Sequence, residues 1–121
     1  MTWTFTFTLN NATPSLNEIH GKHWGSNVRN KTATMWFLTA ALLRSPHVPR
    51  AAGKRILTIE RHGRGRLDHD NLVGGVKWLV DAIKDRGLIR DDSEEWMDLR
   101  VSQIVRRDVS PHTVVTLEDL P

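Results

Sequence analysis

Hydrophobic and polar residues alternate strictly at the start of the chain. Trp3, Phe5, Phe7 and Leu9 alternate with Thr2, Thr4, Thr6 and Thr8. A period of two residues is typical of a strand with one buried face. We therefore expect a strand over residues 2–9. A long loop is expected over residues 10–27, because this stretch is rich in Asn, Gly, His and Ser and has no regular period.

The pattern changes to a helical period over residues 28–44. Ser26 or Asn27 is positioned to cap the start of this helix, and the first proline after it is Pro46. The expected apolar face combines residues at helical spacing: Ala33, Trp36, Phe37, Ala40 and Leu43 or Arg44.

A second helix is predicted over residues 71–86, with Asp70 as its N-cap and Gly87 as the residue after its C-cap. Its apolar residues follow the spacing i, i+4, i+7, i+8 and i+11: Leu72, Val73, Val76, Leu79, Val80 and Ile83. Further strands are expected over residues 54–61, 95–107 and 112–118. This order predicts one α+β domain over residues 1–121, with helices packed on a mixed four-stranded sheet.

Composition narrows the possible classes of protein. The 121 residues carry a net charge of +3, which by itself argues only weakly for nucleic-acid binding. The absence of cysteine excludes disulfides and thiolate metal sites. No apolar run approaches the ~20 residues that span a bilayer, and the first residues lack the features of a signal peptide. We expect a cytoplasmic protein with no membrane contact.

Two clusters of aspartate stand out in this basic chain. The first is the segment 68–71, with Asp68 and Asp70, and the second is Asp91-Asp92, about twenty residues later. If the first segment is extended, Asp68 and Asp70 point to the same side. Four such carboxylates suit Mg²⁺, which prefers oxygen ligands. The clusters meet only if the chain turns back at Gly87. The alternative is that Asp70 only caps a helix and that Asp91-Asp92 lies in a solvated turn.

The acidic segments and the residues between them resemble a known family. The matching pieces are Asp68-His69-Asp70-Asn71-Leu72, Lys77 before Asp81-Ala82-Ile83, and Gly87-Leu88-Ile89 before Asp91-Asp92. Together they resemble the RusA-type Holliday junction resolvases, and Pro14-Ser15-x-Asn17 resembles that family's first strand-to-loop junction. The resemblance covers most of the chain and is most specific over residues 66–101.

The resemblance implies a RusA-like fold and a Mg²⁺-dependent homodimer that nicks four-way DNA junctions symmetrically in recombination and repair. It implies that Asp68, Asp70 and Asp92 are the essential carboxylates, with Asp91 beside them at the metal. It further implies a cytoplasmic protein encoded by a bacterium, a phage or a prophage. Lys77 is the candidate catalytic lysine.

The chain departs from the family at this lysine. Lys77 lies six residues after Asn71, where the family has three, so that about three residues around Gly74-Gly75 are inserted. Because each of two adjacent glycines weakens a helix by roughly 1 kcal/mol relative to alanine, an alternative is that Gly74-Gly75 form a loop and the helix starts only after Gly75. The alternative role for Lys77 is a surface ion pair with Asp81 at i+4. The insertion also keeps open a non-catalytic DNA-binding dimer on the same fold.

The basic, aromatic and histidine residues lead to three further expectations. Arg61, Arg64 and Arg66 precede the first acidic cluster and are expected to contact DNA phosphates, as are Lys22 and Arg29; an ordinary solvated loop is the alternative. The tryptophans expected in the core or at a dimer interface are Trp3, Trp36, Trp78 and Trp96. The His20-x-x-His23 spacing also keeps a zinc hydrolase as a third possibility.

Overall fold

The computed structural model describes residues 3–15, 24–45 and 47–120, without the side chains of residues 24–30. Its elements are β1 (Thr4–Leu9), α1 (Trp24–Arg44), β2 (Arg55–Gly63), α2 (His69–Gly74), α3 (Lys77–Asp85), β3 (Met97–Val105) and β4 (His112–Asp119). The four strands form one sheet in the order β1-β4-β2-β3. Only the β2–β3 pair is parallel, so the sheet is mixed. The predicted α+β class and the four-stranded mixed sheet are confirmed.

The helices cover one face of this sheet. In the central row of that face Phe7 is paired with Val115, Val115 with Ile59, and Ile59 with Val101. The alternation in β1 is confirmed at Phe7 and Leu9, which are buried, while the threonines of the strand are exposed. Helix α1 packs on β1 and α3, and α2 packs on β3. No helix in the described ranges is long and apolar enough to cross a membrane.

Helix α1 differs from its prediction at both its start and its buried face. It begins at Trp24, so Ser26 and Asn27 lie inside the helix and do not cap it. Among the side chains of α1 from residue 31 onward, the buried ones are Thr34, Leu38 and Ala41. Trp36 and Leu43, which were expected on the buried face, are 71% and 83% exposed. Small residues such as Ala41 let a helix approach its neighbours closely. The face of α1 that packs against the core is therefore not the face with the largest apolar side chains.

The tryptophans divide between core and surface. Trp78 is buried in α3 as expected, whereas Trp3 at the start of the chain is 57% exposed. Arg90 lies over the ring of Trp96, with its guanidinium carbon 4.6 Å from the ring centre. Trp78 therefore lies in the core, whereas Trp3, just before β1, and Trp36, in α1, are exposed to solvent.

The predicted helix over residues 71–86 is interrupted. Residues 75 and 76 form a turn between α2 and α3. The amide N–H of Gly75 still donates to the carbonyl oxygen of Asn71, at 3.1 Å. A Cβ atom on Gly75 would overlap the backbone carbonyl oxygen of Pro14. The loop after β1 therefore approaches the helical segment so closely that only glycine fits at this position.

The end of α3 confirms the predicted role of Gly87. This residue has φ 74°, the left-handed conformation that favours glycine. Its N–H donates to the carbonyl oxygen of Lys84 at 2.8 Å, and the N–H of Leu88 donates to that of Ile83 at 3.1 Å. This pair of bonds is the Schellman motif. Leu88 and Ile89 are buried directly after it, so the chain turns back into the core.

We predict that Gly75→Ala lowers the free energy of unfolding by about 1–3 kcal/mol, because the added methyl group must displace the backbone at Pro14. The measurement is urea denaturation followed by circular dichroism. Gly53→Ala is the matched control, since a Cβ there meets nothing within 4 Å. Equal losses of stability in the two variants would contradict the close approach at Gly75.

Candidate functional site

The first acidic cluster forms the start of α2. Asp68 is extended, with φ −68° and ψ 164°, and is the N-cap of this helix. Its Oδ1 accepts from the backbone N–H of Asn71 at 2.9 Å, and its Oδ2 accepts from the side-chain Nδ2 of Asn71 at 3.0 Å. The expectation that Asp70 is the N-cap is wrong, because the helix begins at His69, two residues earlier than the apolar pattern indicated.

Asp70 lies inside the first turn of α2 and is exposed. Residues two apart in a helix are separated by about 200° around its axis. The expectation that Asp68 and Asp70 share one side of an extended segment is therefore wrong in its geometry. Both carboxylates nevertheless remain at the same end of α2.

A glutamine of β3 holds the residue before Asp68 in place. The side chain of Gln103 accepts from the N–H of Leu67 at 3.0 Å and donates to the carbonyl oxygen of Leu67 at 2.7 Å. Both backbone groups of Leu67 are thus satisfied by one side chain from the sheet. Sequence analysis did not identify Gln103, since its partner lies 36 residues away.

The second acidic cluster opens onto a groove between the helices and β3. The groove has a volume of about 320 Å³ and is lined by Val73, Gly74, Val76, Lys77, Val80, Asp81, Asp92, Met97 and Leu99. An adjoining cavity of about 380 Å³ is lined by Lys54, Asp92, Glu94, Met97, Asp98 and Leu99. Because Asp92 lines both, it lies between them. We call the first of these cavities the Asp92 groove.

The Asp92 groove combines an apolar floor with charged walls. Val76, Val80 and Met97 are buried, whereas Lys77 and Asp92 are exposed. A cation and a carboxylate therefore face one solvent-filled space above apolar side chains. Such a mixture is typical of ligand-binding clefts, in which a few polar groups provide orientation.

Lys77 and Asp81 both line the Asp92 groove. Among the described side chains they form no ion pair, although i,i+4 spacing places them on the same side of α3. Gly74, which occupies the position three residues after Asn71, also lines the groove. The turn at residues 75 and 76 thus brings Lys77 to the same cavity as Gly74.

Asp91 has a different environment from Asp92. Its Oδ1 accepts from the backbone N–H of Asp92 at 2.9 Å and lies 3.4 Å from Nζ of Lys84. The hydrogen bond from the Asp92 backbone, the side chain of Asp92 and Lys84 together lower the pKa of Asp91. The pKa of Lys84 is raised, first by its hydrogen bond to Asp91 and then by the charge of Asp92. Sequence analysis overlooked Lys84, although it lies seven residues from both Lys77 and Asp91.

The arginines before α2 are not equivalent. Arg61 donates through Nε to the carbonyl oxygen of Thr13 at 2.8 Å and through Nη1 to that of Gly65 at 3.1 Å. It therefore ties the end of β2 to the segment after β1. Arg64 and Arg66 are exposed. Other predicted residues lie outside the described part of the structure: Lys22, His20, His23 and the side chain of Arg29.

Among the residues that the structure describes, no group of three or more His, Cys, Asp or Glu side chains is arranged to hold a metal ion. The four aspartates predicted to bind the metal lie in two segments, with Asp68 and Asp70 at the start of α2 and Asp91-Asp92 after α3. In comparisons with known proteins, no family model matches this chain and no curated protein matches it.

We predict that Asp68→Ala lowers the free energy of unfolding by about 1 kcal/mol, the usual cost of removing an N-cap. Asp70→Asn is the control and should change it by less than about 0.5 kcal/mol, as is usual for an exposed position. Thermal denaturation of the two variants provides the comparison. A larger loss of stability for Asp70→Asn than for Asp68→Ala would contradict the assignment of Asp68 as the N-cap.

The environment of Asp91 leads to a prediction about pH. Because its pKa is lowered from the ordinary value of 3.8, its favourable contribution to folding is present above that pH and is lost as the pH falls through the lowered pKa. Lys84→Met should raise the pKa of Asp91 without restoring the ordinary value, since the hydrogen bond from Asp92 remains. Carboxyl ¹³C NMR titration measures this shift. Lys77→Met should leave it unchanged, and an equal rise in that variant would refute the pairing with Lys84.

Proposed function

We propose that this protein is a Mg²⁺-dependent endonuclease that cuts four-way DNA junctions as a homodimer, in the manner of the RusA-type resolvases that its motifs resemble. The observation that carries the proposal is that Lys77 and Asp92 line one groove. The carboxylates of Asp68 and Asp70 stand at the start of α2, the helix whose last residues, Val73 and Gly74, line the same groove.

The return of the chain after α3 supports this proposal. The sequence separates Asp70 from Asp92 by a helical segment that would carry them apart. The Schellman motif at Gly87 and the burial of Leu88 and Ile89 reverse the chain direction. Asp92 then lines the groove together with Val73 and Gly74, the last residues of the helix that begins at the first acidic cluster.

The position of Lys77 removes one objection to the proposal. Relative to the family motif, Lys77 is displaced by three residues, and on a continuous helix this displaces a side chain by ~4.5 Å along the axis. The turn at residues 75 and 76 interrupts that helix. Gly74 and Lys77 consequently line the same groove, so the inserted residues still leave a lysine beside Asp92.

The donor chemistry suits a hard cation. Carboxylate oxygens are the ligands that Mg²⁺ prefers, and because this ion retains several waters, one or two carboxylates are enough to hold it. Asp70 and Asp92 are exposed and would hold the ion, with Asp68 and Asp91 beside them. Bound Mg²⁺ would supply charge neutralisation at a phosphate and a more acidic water.

The groove's own residues have distinct roles in this proposal. Asp92 accepts a proton from the attacking water. The ammonium group of Lys77 stabilises the negative charge that develops on the phosphate oxygens. Asp68 acts as a positioning residue, because its hydrogen bonds to Asn71 fix the start of α2. Arg64 and Arg66, exposed in the preceding loop, contact the DNA backbone.

A non-catalytic DNA-binding dimer is the second candidate. It is favoured by one observation: the described carboxylates form pairs and no three-residue metal group. In that case the acidic residues serve only the helix cap at Asp68 and the ion pair between Asp91 and Lys84. Cutting in the presence of Mg²⁺ separates the two candidates.

We predict that the protein introduces paired symmetric nicks into a labelled four-way junction when Mg²⁺ is present, and none in EDTA. Asp92→Asn should slow cutting by at least ~100-fold, and Lys77→Met should slow it by about 100-fold. Asp70→Asn should bind the junction but not cut it. Denaturing gel electrophoresis measures the nicks, with linear duplex as competitor.

Asp85→Asn is the matched control, since Asp85 is an exposed carboxylate at the end of α3 and does not line the Asp92 groove. It should cut at the wild-type rate. Tight junction binding by the wild type without any nicks would favour the non-catalytic candidate. Cutting that survives in Asp92→Asn would exclude the groove as the active site.

A further inference from the structure

Helix α1 exposes two large apolar side chains away from the core. Trp36 is 71% exposed and Leu43 is 83% exposed. Seven residues are almost two complete turns, so the two side chains lie on one face of α1, about 10 Å apart along its axis. Exposed apolar residues at one site are associated with binding.

Cationic residues border this face. Arg86, directly after α3, donates through Nη2 to Oγ1 of Thr39. Thr39 is three residues from Trp36 and four from Leu43, so it lies on the same side of the helix. The hydrogen bond therefore holds a guanidinium group beside the two exposed apolar side chains. Helix α1 itself contains no acidic residue.

A cleft of about 450 Å³ continues from the end of α1. Its lining residues are Leu42, His47, Val48, Pro49, Arg50, Arg86 and Leu88. It contains two arginines and one histidine and no carboxylate. Arg50 packs over Gly87, where an added Cβ would lie 3.3 Å from its Cγ. The charge of the cleft thus suits an anionic ligand.

We propose that this surface binds unpaired DNA nucleotides, with a base stacked on Trp36 and the phosphates held by Arg50 and Arg86. We call it the α1 surface, and it consists of Trp36, Thr39, Leu43, Arg86, Arg50 and His47. An aromatic ring beside guanidinium groups matches the two parts of a nucleotide, since any base can stack and arginine binds phosphate. The proposal rests on the proposed function only in taking DNA as the ligand.

Charge and size favour this ligand over other occupants. A stable protein interface buries a broad apolar area, whereas the described side chains of α1 expose only two large apolar residues, Trp36 and Leu43, about 10 Å apart along the axis. The Asp92 groove is lined by residues of the first half of α3, and the α1 surface includes Arg86, which directly follows the end of that helix. A branched DNA substrate therefore has room to contact both, with its unpaired bases on the cationic surface and not in the acidic groove.

The test measures binding of a fluorescein-labelled 15-nucleotide oligo(dT) by fluorescence anisotropy in EDTA. Trp36→Ala should weaken binding about 5- to 150-fold, the range found when a stacking aromatic is removed. Trp3→Ala is the matched control, because Trp3 is 57% exposed but lies outside the α1 surface, and it should bind as the wild type does. Trp36→Phe should retain most of the affinity, and circular dichroism checks the fold of each variant.

A second variant tests the phosphate contact. Arg50→Gln should reduce the slope of log Kd against log salt concentration by about 0.7, the value for one phosphate contact on a single strand. The proposal is overturned if Trp36→Ala and Trp3→Ala bind oligo(dT) equally well. It is also overturned if Trp36 instead governs binding to phosphatidylserine vesicles, or self-association measured by sedimentation, while oligo(dT) binding is unaffected.

The EDTA condition separates this inference from the proposed nuclease function. Binding that depends on Trp36, together with an absence of junction cutting in Mg²⁺, leaves the α1 surface supported and the nuclease proposal refuted. Junction cutting that depends on Asp92, together with oligo(dT) binding that Trp36→Ala does not change, supports the nuclease proposal and refutes DNA binding at the α1 surface.

Discussion

A buried arginine at the start of β2 connects the segments on which the rest of the structure depends. Arg55 has a side chain only 1% exposed and donates through Nε to Oδ1 of Asp119 at 2.6 Å. Its Nη1 donates to the carbonyl oxygens of Pro49 and Leu88 at 2.9 and 2.8 Å. A buried cation that loses its partners is strongly destabilising. The loop before β2, the return after α3 and the end of β4 are therefore constrained together.

This constraint determines where the second acidic cluster emerges. The Schellman motif reverses the chain at Gly87, and Arg55 then binds the carbonyl oxygen of Leu88. With Leu88 and Ile89 held in the core, the next residues must leave it beside the start of β3. That exit separates the two neighbouring aspartates: Asp91 is paired with Lys84, while Asp92 lines the groove.

The surfaces near the two ends of α3 differ in charge. The beginning of α3 lies at the Asp92 groove, where carboxylates face Lys77. Its end lies at the α1 surface, where Arg50 and Arg86 line a cleft that has no carboxylate. Under the proposed function, this difference would let DNA phosphates bind at the cleft while the acidic groups act at the groove, because a carboxylate near a phosphate is repulsive unless a cation compensates it.

Local patterns in the sequence correctly predicted those structural features that depend only on neighbouring residues. The period of two predicted the buried face of β1, and the glycine after the last apolar position of α3 predicted the turn at Gly87. Both predictions were possible because strand alternation and the left-handed conformation are properties of the local backbone. The same patterns identified the acidic residues of the candidate site but not their arrangement. The close approach at Gly75 involves Pro14, Leu67 is bound by Gln103, and the buried Arg55 is paired with Asp119. These partners are distant in the sequence and come together only when the sheet and helices pack, so the tertiary structure alone decided them. It also decided that α1 turns Trp36 toward solvent, since a helix with apolar residues on two sides is oriented by the shape of its neighbours.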